Sequence, residues 1–218
     1  MAAVPLVTQE EYDAVIQANA PLFEEIARIC EASGEAVEGN CFYLHKRIDM
    51  PLADLLPKQM NLFSLGRASR RILEIGFNAG HSTLLFLLAN PASSVVCFDL
   101  CEHKYTRPCF EFLASRFPGR VELHAGDSLK TVPRFVAENP GRVFDFVHID
   151  GCHEAAVADG DFWNCYGVAR RWILWDDTQM EALDSLLNKY IGLGLVKEVA
   201  IYPTGIYRHR AVVVARAT

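Results

Sequence analysis

Apolar residues in this chain fall either in short runs or at helical spacing, and the two patterns alternate. The runs at 71–75, 95–100, 121–125, 144–149 and 172–175 have strand length and end in turn residues, so they read as buried strands. Between them, helical spacing recurs near 81–89, 104–117, 128–138, 154–166 and 180–191. Such alternation predicts an α/β fold, a parallel sheet with helices on both faces, and strand twist makes its crossovers right-handed. Two last extended runs, 196–202 and 207–215, flank the turn signal Pro203-Thr204-Gly205 and predict a terminal antiparallel hairpin.

The pattern before the first strand is different. Tyr12, Val15, Ile16, Leu22, Phe23, Ile26 and Ile29 lie at helical spacing within 10–32, and Pro21 splits or kinks that helix. Residues 34–56 have no period and mix Tyr43, His45, Lys46 and Arg47, which suits either a lid or an irregular surface connection. A short helix at 58–63 leads into the first strand. The chain thus divides into an N-terminal helical or lid segment, 1–57, and a main domain, 58–218, within one globular unit. It shows no internal repeat, low-complexity tract or linker.

Composition narrows the partners. A length of 218 residues with 51% hydrophobic residues is ample for one buried core. The net charge of −6, with Lys and Arg scattered, argues against nucleic acid as a partner. Seven cysteines without a CxxC pair suit a reducing cytosol and separate core thiols. Cys97, Cys101 and His103 lack a fourth ligand at zinc spacing. There is no leader pattern and no apolar run near the ~20 residues of a membrane span, so the expectation is a cytoplasmic chain with no membrane partner.

The stretch Arg71 to Thr83 carries the chemistry. A strand ends in Glu74-Ile75-Gly76-Phe77-Asn78-Ala79-Gly80, and Ser82 and Thr83 open a helix. Gly76 permits close backbone approach and Gly80 closes the turn, while the helix start offers free N–H groups to an anion. The ExGxxxG spacing is not the dinucleotide fingerprint GxGxxG. Ligands of open α/β sheets bind at the carboxyl ends of strands, and here each of the five ends is acidic. Asp99, about 20 residues past the turn, can take ribose hydroxyls. Asp127 and Ser128 can reach an adenine edge, although Asp127 and Asp177 are also helix-cap candidates. Asp150, Asp176 and Asp177 make an oxygen-rich set that suits Mg²⁺ or Ca²⁺. His153, three residues after Asp150, can remove a hydroxyl proton near neutral pH; its plain alternative is a surface histidine. His148 reads as a core histidine and His81 as lining.

The turn resembles motif I of the class I S-adenosylmethionine (SAM) methyltransferases, and the whole string looks like their small O-methyltransferases. The resemblance covers roughly 58–215 and implies a Rossmann-like, seven-stranded, mostly parallel sheet whose last strand is antiparallel. It implies SAM contacts from Glu74, Gly76, Phe77, Asn78, Gly80, Ser82, Asp99, Asp127, Ser128 and Asp150. Positions similar to Asp150, Asp176 and Asp177 hold the divalent cation in the catechol, caffeoyl-CoA and macrolide-sugar enzymes. The third ligand is Asn in the first two families, and Asp177 matches the sugar-methylating branch. The position of His153 holds a catalytic Lys or His in those enzymes. In them the N-terminal segment covers the active site or builds an oligomer, so a homo-oligomer through the N-terminal helices is expected. The resulting expectation is Mg²⁺-assisted transfer from SAM to a hydroxyl of a small sugar or natural product, with His153 and Asp150 catalytic. Metal-free transfer to O or N and a non-catalytic SAM-binding subunit are the alternatives.

Overall fold

A computed structural model describes residues 3–215 of the chain. Seven strands, β1 (Arg71–Ile75), β2 (Ser94–Asp99), β3 (Val121–Ala125), β4 (Phe144–Ile149), β5 (Ala169–Trp175), β6 (Val196–Val199) and β7 (Arg210–Val214), form one sheet in the order β3-β2-β1-β4-β5-β7-β6. The first five pair in parallel, and β7 inserts antiparallel between β5 and β6. Register then fixes where the strand ends lie. Ile75 pairs with both Phe98 and Ile149, and Ile149 pairs with Trp175. Gly76, Asp99, Asp150 and Asp176 therefore leave the sheet at one level, around the switch point between β1 and β4.

Two apolar layers cover the sheet. One packs α6 (Ser128–Glu138), α7 (Ala155–Tyr166) and α8 (Glu181–Gly192) through Phe135, Phe162 and Leu187. The other holds α3 (Leu56–Arg67), α4 (His81–Ala89), α5 (Thr106–Arg116) and the N-terminal helices α1 (Gln9–Ala18) and α2 (Ala20–Ser33). Thr8 and Glu11 make a capping box at the start of α1, and Pro21 falls in the first turn of α2, where a missing N–H costs nothing. The proline thus divides the region into two helices. Their apolar residues Tyr12, Phe23, Ile26 and Cys30 are spent inside the chain's own core.

Three boundaries differ from the sequence reading. β5 begins at Ala169 rather than 172, extending through Arg170 and Arg171, with the Arg171 guanidinium 3.6 Å from the centre of the Trp172 ring. α3 runs from Leu56 to Arg67 and is buried at every position from Lys58 to Gly66, so no polar stripe marks its length. The hairpin strands are shorter than read, because residues 200–209 are held away from the ladder. The Asn61 amide donates to the Tyr202 carbonyl and accepts its N–H, each at 2.8 Å. Among the described residues no helix is long and apolar enough to cross a membrane.

Candidate active site

The glycine turn is built by its neighbours. A Cβ on Gly76, at φ +92°, would stand 2.0 Å from the Asp150 carbonyl oxygen, so the close approach that demands glycine is to the end of β4. Asn78 takes a left-handed φ of 52°. Its backbone N–H donates to Asp99 Oδ2 at 2.8 Å, and its side-chain amide donates to the carbonyls of Glu38 and Gly39. Ser82 and Thr83 turn back to donate to Glu74, which is wholly buried. Beside the turn lies a cavity of about 450 Å³, walled by Gly76–Asn78 and Ser82, by Asp150, His153 and Asp177, and by Tyr43, Lys58 and Tyr207.

Below the cavity is a chain of buried charges. His148 Nδ1 lies 3.0 Å from Glu74 Oε1, and its Nε2 lies 3.7 Å from Asp176 Oδ2 and 3.9 Å from Asp150 Oδ2. From α3, Lys58 Nζ pairs with Asp176 Oδ2 at 2.8 Å, with side-chain exposures of only 8% and 1%. Burial alone would raise the Asp176 carboxyl, but the charge of Lys58 and the adjacent His148 hold it well below the usual carboxylate range. Burial would likewise lower His148, yet Asp176 and Glu74 drive it up to about 10. Asp150 is pushed up to about 8 by burial and then by the Asp176 charge. Because 32% of its side chain is exposed, water screens part of that effect.

Next to Asp150, His153 Nε2 lies 2.7 Å from Asp177 Oδ2. Gln179 Nε2 donates to Asp177 Oδ1 at 2.6 Å, and Gln179 Oε1 accepts the Arg208 N–H at 2.8 Å. Both oxygens of Asp177 are thereby oriented, at a residue whose φ is 52°. The hydrogen bond to Asp177 raises the His153 pKa, against the lowering effect of partial burial.

Residues 73–178, from β1 to just past β5, match the family model of a methyltransferase domain. The chain has the Rossmann-like fold of the class I methyltransferases. Solved structures agree on the fold. An O-methyltransferase from Bacillus cereus in complex with SAH is 18% identical, with a TM-score of 0.67 over 90% of this chain and 91% of that one. TomG from Streptomyces achromogenes, an O-methyltransferase of tomaymycin synthesis in complex with SAM, is 19% identical, with a TM-score of 0.65 over 97% and 100%. CalS11, a TDP-rhamnose 3'-O-methyltransferase of calicheamicin biosynthesis, is 18% identical, with a TM-score of 0.62 over 74% and 81%. No curated protein matches the chain in sequence.

Within this fold, the expected residues separate into groups. Gly76, Phe77, Asn78, Ser82 and Asp150 line the cavity together with His153 and Asp177. A glycine-bounded pocket at the start of α4, close to the Asp99 carboxylate, fits SAM. Gly80, at φ +81°, caps α4 behind it. Glu74 is buried beneath the cavity as the anchor of Ser82, Thr83 and His148. Asp127 caps α6 through the Leu129 N–H at 3.0 Å and pairs with Lys130 at 2.9 Å; neither it nor Ser128 is part of this cavity wall.

The three carboxylates expected to bind Mg²⁺ do not form one donor set. Among the described residues, the donor groups close enough to share an ion are His148–Asp150–Asp176 and Asp150–His153–Asp177. Each Asp176 oxygen already has a partner, since Oδ1 accepts the Asp177 N–H at 2.8 Å and Oδ2 pairs with Lys58. The expected Mg²⁺ trio is therefore not brought together as one donor group here, Asp150 falling in both groups and Asp176 and Asp177 in one each. Sequence reading missed Lys58 and Gln179. The available signal for Lys58 was a lone cation set among Leu55, Leu56, Met60 and Leu62; Gln179 gave none.

Proposed function

We propose that the enzyme transfers the methyl group of SAM to a hydroxyl of a small molecule, with His153 as general base and no metal in the step. The 2.7 Å contact between His153 and Asp177 carries this reading. It puts the imidazole proton on Nε2 and leaves Nδ1 as the acceptor, on a residue that lines the cavity. Bound SAM supplies a methyl group already activated by its sulfonium. The protein's part is to hold the hydroxyl in line and remove its proton: the O–H bond breaks, the proton goes to His153 Nδ1, and the oxygen pair is freed for the new C–O bond. Asp177 fixes the ring and stabilises the imidazolium that results, and Asp150 lies beside it to accept a hydrogen bond from the acceptor.

Tyr43 and Tyr207 give the cavity aromatic walls, which favours a ring-bearing sugar or natural-product acceptor. The chemistry stated for CalS11 and TomG points the same way. The seven cysteines are free, consistent with a cytoplasmic setting. Screening hydroxylated sugars and aromatic natural products with isotopically labelled SAM tests the class. On the substrate so found, His153→Gln should cost ~10²–10⁴ in kcat, with SAH affinity unchanged and EDTA without effect on the wild type.

A second reading keeps a divalent cation on Asp150, His153 and Asp177, whose donor atoms lie within 4.8 Å of one another. That mixed oxygen and nitrogen set suits Mn²⁺ as well as Mg²⁺, and His153 would then be a ligand rather than a base. Loss of activity in EDTA, restored by Mn²⁺, would decide for it.

A further inference from the structure

We infer that Lys58 is the built-in cation of this site, paired with the Asp176 carboxylate that the resemblance assigns to a divalent ion. The inference rests on the metal-free reading above and names the residue that makes it possible. Three observations carry it. Lys58 Nζ sits 2.8 Å from Asp176 Oδ2, and both side chains are almost wholly buried. The second Asp176 oxygen accepts the Asp177 backbone N–H at 2.8 Å, so each oxygen of the carboxylate already has a partner from the chain. And Lys58 belongs at once to the cavity wall and to a helix buried at every position from 58 to 66, so the ammonium cannot swing into solvent and vacate the site. A buried carboxylate needs a cation near it, and this one is supplied by the chain. The ammonium has three protons. Asp176 engages one face of it, and the position on the cavity wall lets another N–H meet the acceptor oxygen as negative charge develops, the role a Lewis acid plays elsewhere.

The test is Mn²⁺ binding followed by EPR, on full-length protein saturated with SAH. Wild type should bind no stoichiometric ion at Asp176. Lys58→Ala should gain one, and Lys58→Ala/Asp176→Asn should lose it again. Removing one partner of a buried pair can unfold a protein, so Lys58→Met, which keeps the apolar stem, is run in parallel. If either variant is only marginally folded, Mn²⁺ should raise its Tm by several degrees while leaving that of the wild type unchanged. A wild-type ion that Asp176→Asn removes would overturn the inference. So would the absence of any gained ion or Tm shift in both Lys58 variants. A wild-type ion lost in His153→Ala but kept in Asp176→Asn counts against the His153 base instead, and the Lys58 assignment is then decided by whether its variants bind one ion more.

Discussion

With His153 as the proposed base, it and Asp177 are expected to set the pH behaviour of the reaction. A base must be neutral to act, so activity rises with pH through the pKa of His153, which Asp177 holds above the ordinary imidazole value. Asp177→Asn removes that charge, and the acid limb of kcat/KM should shift to lower pH while kcat falls. An unshifted limb would mean that the titrating group is not His153. These two residues were readable because their spacing from the strand ends is a matter of sequence: His153 follows Asp150 by three positions, and Asp177 ends the motif after β5. The partners that orient them were not readable. Gln179 reaches Asp177 only because the turn after β5 bends back at a left-handed φ, and Lys58 meets Asp176 across 118 residues of chain, a separation no local pattern records.

At the scale of elements, strands announced themselves and their ends did not. β1 and β4 match the apolar runs because each is buried on both faces and stops where turn residues begin; β3 matches its run too, although at the sheet edge it is only half-buried. The C-terminal hairpin was overextended, since alternation continues past the point where tertiary contacts pull the chain off the sheet. Asn61 makes that decision by satisfying both backbone groups of Tyr202. Asn61→Ala leaves a donor and an acceptor without partners, and the enzyme should lose about 1–3 kcal/mol per unsatisfied group, measured by urea denaturation. Loss of under half a kcal/mol would show that the loop is held elsewhere. α3 is the element least visible from sequence. It has no amphipathic stripe, and its polar residues Lys58, Asn61 and Ser64 all point to partners inside the molecule: Asp176, Tyr202 and the Val7 N–H.

Across the whole molecule, the N-terminal segment belongs to the same core as the domain it covers. Val4, Val7, Tyr12 and Phe23 pack in one cluster with residues of β1, α4 and β5, and Tyr43 closes the cavity from the same segment. The sequence showed residues 34–56, which bring in Tyr43, only as irregular, because a wall shaped to a ligand has no period to betray it. Asn78 ties the wall to the cofactor turn. The backbone and side-chain amides of Asn78 join the carboxylate of Asp99 to the carbonyls of residues 38 and 39, so Asp99 and the N-terminal wall of the cavity share a hinge pin. That gives the catalytic cycle a direction in time. SAM, entering first, settles Asp99 and with it the wall against which the acceptor must dock; an acceptor arriving early meets a wall not yet set. Steady-state kinetics should accordingly show compulsory order, with SAH competing against SAM but not against the acceptor, and Asn78→Ala should turn that sequence of arrivals random.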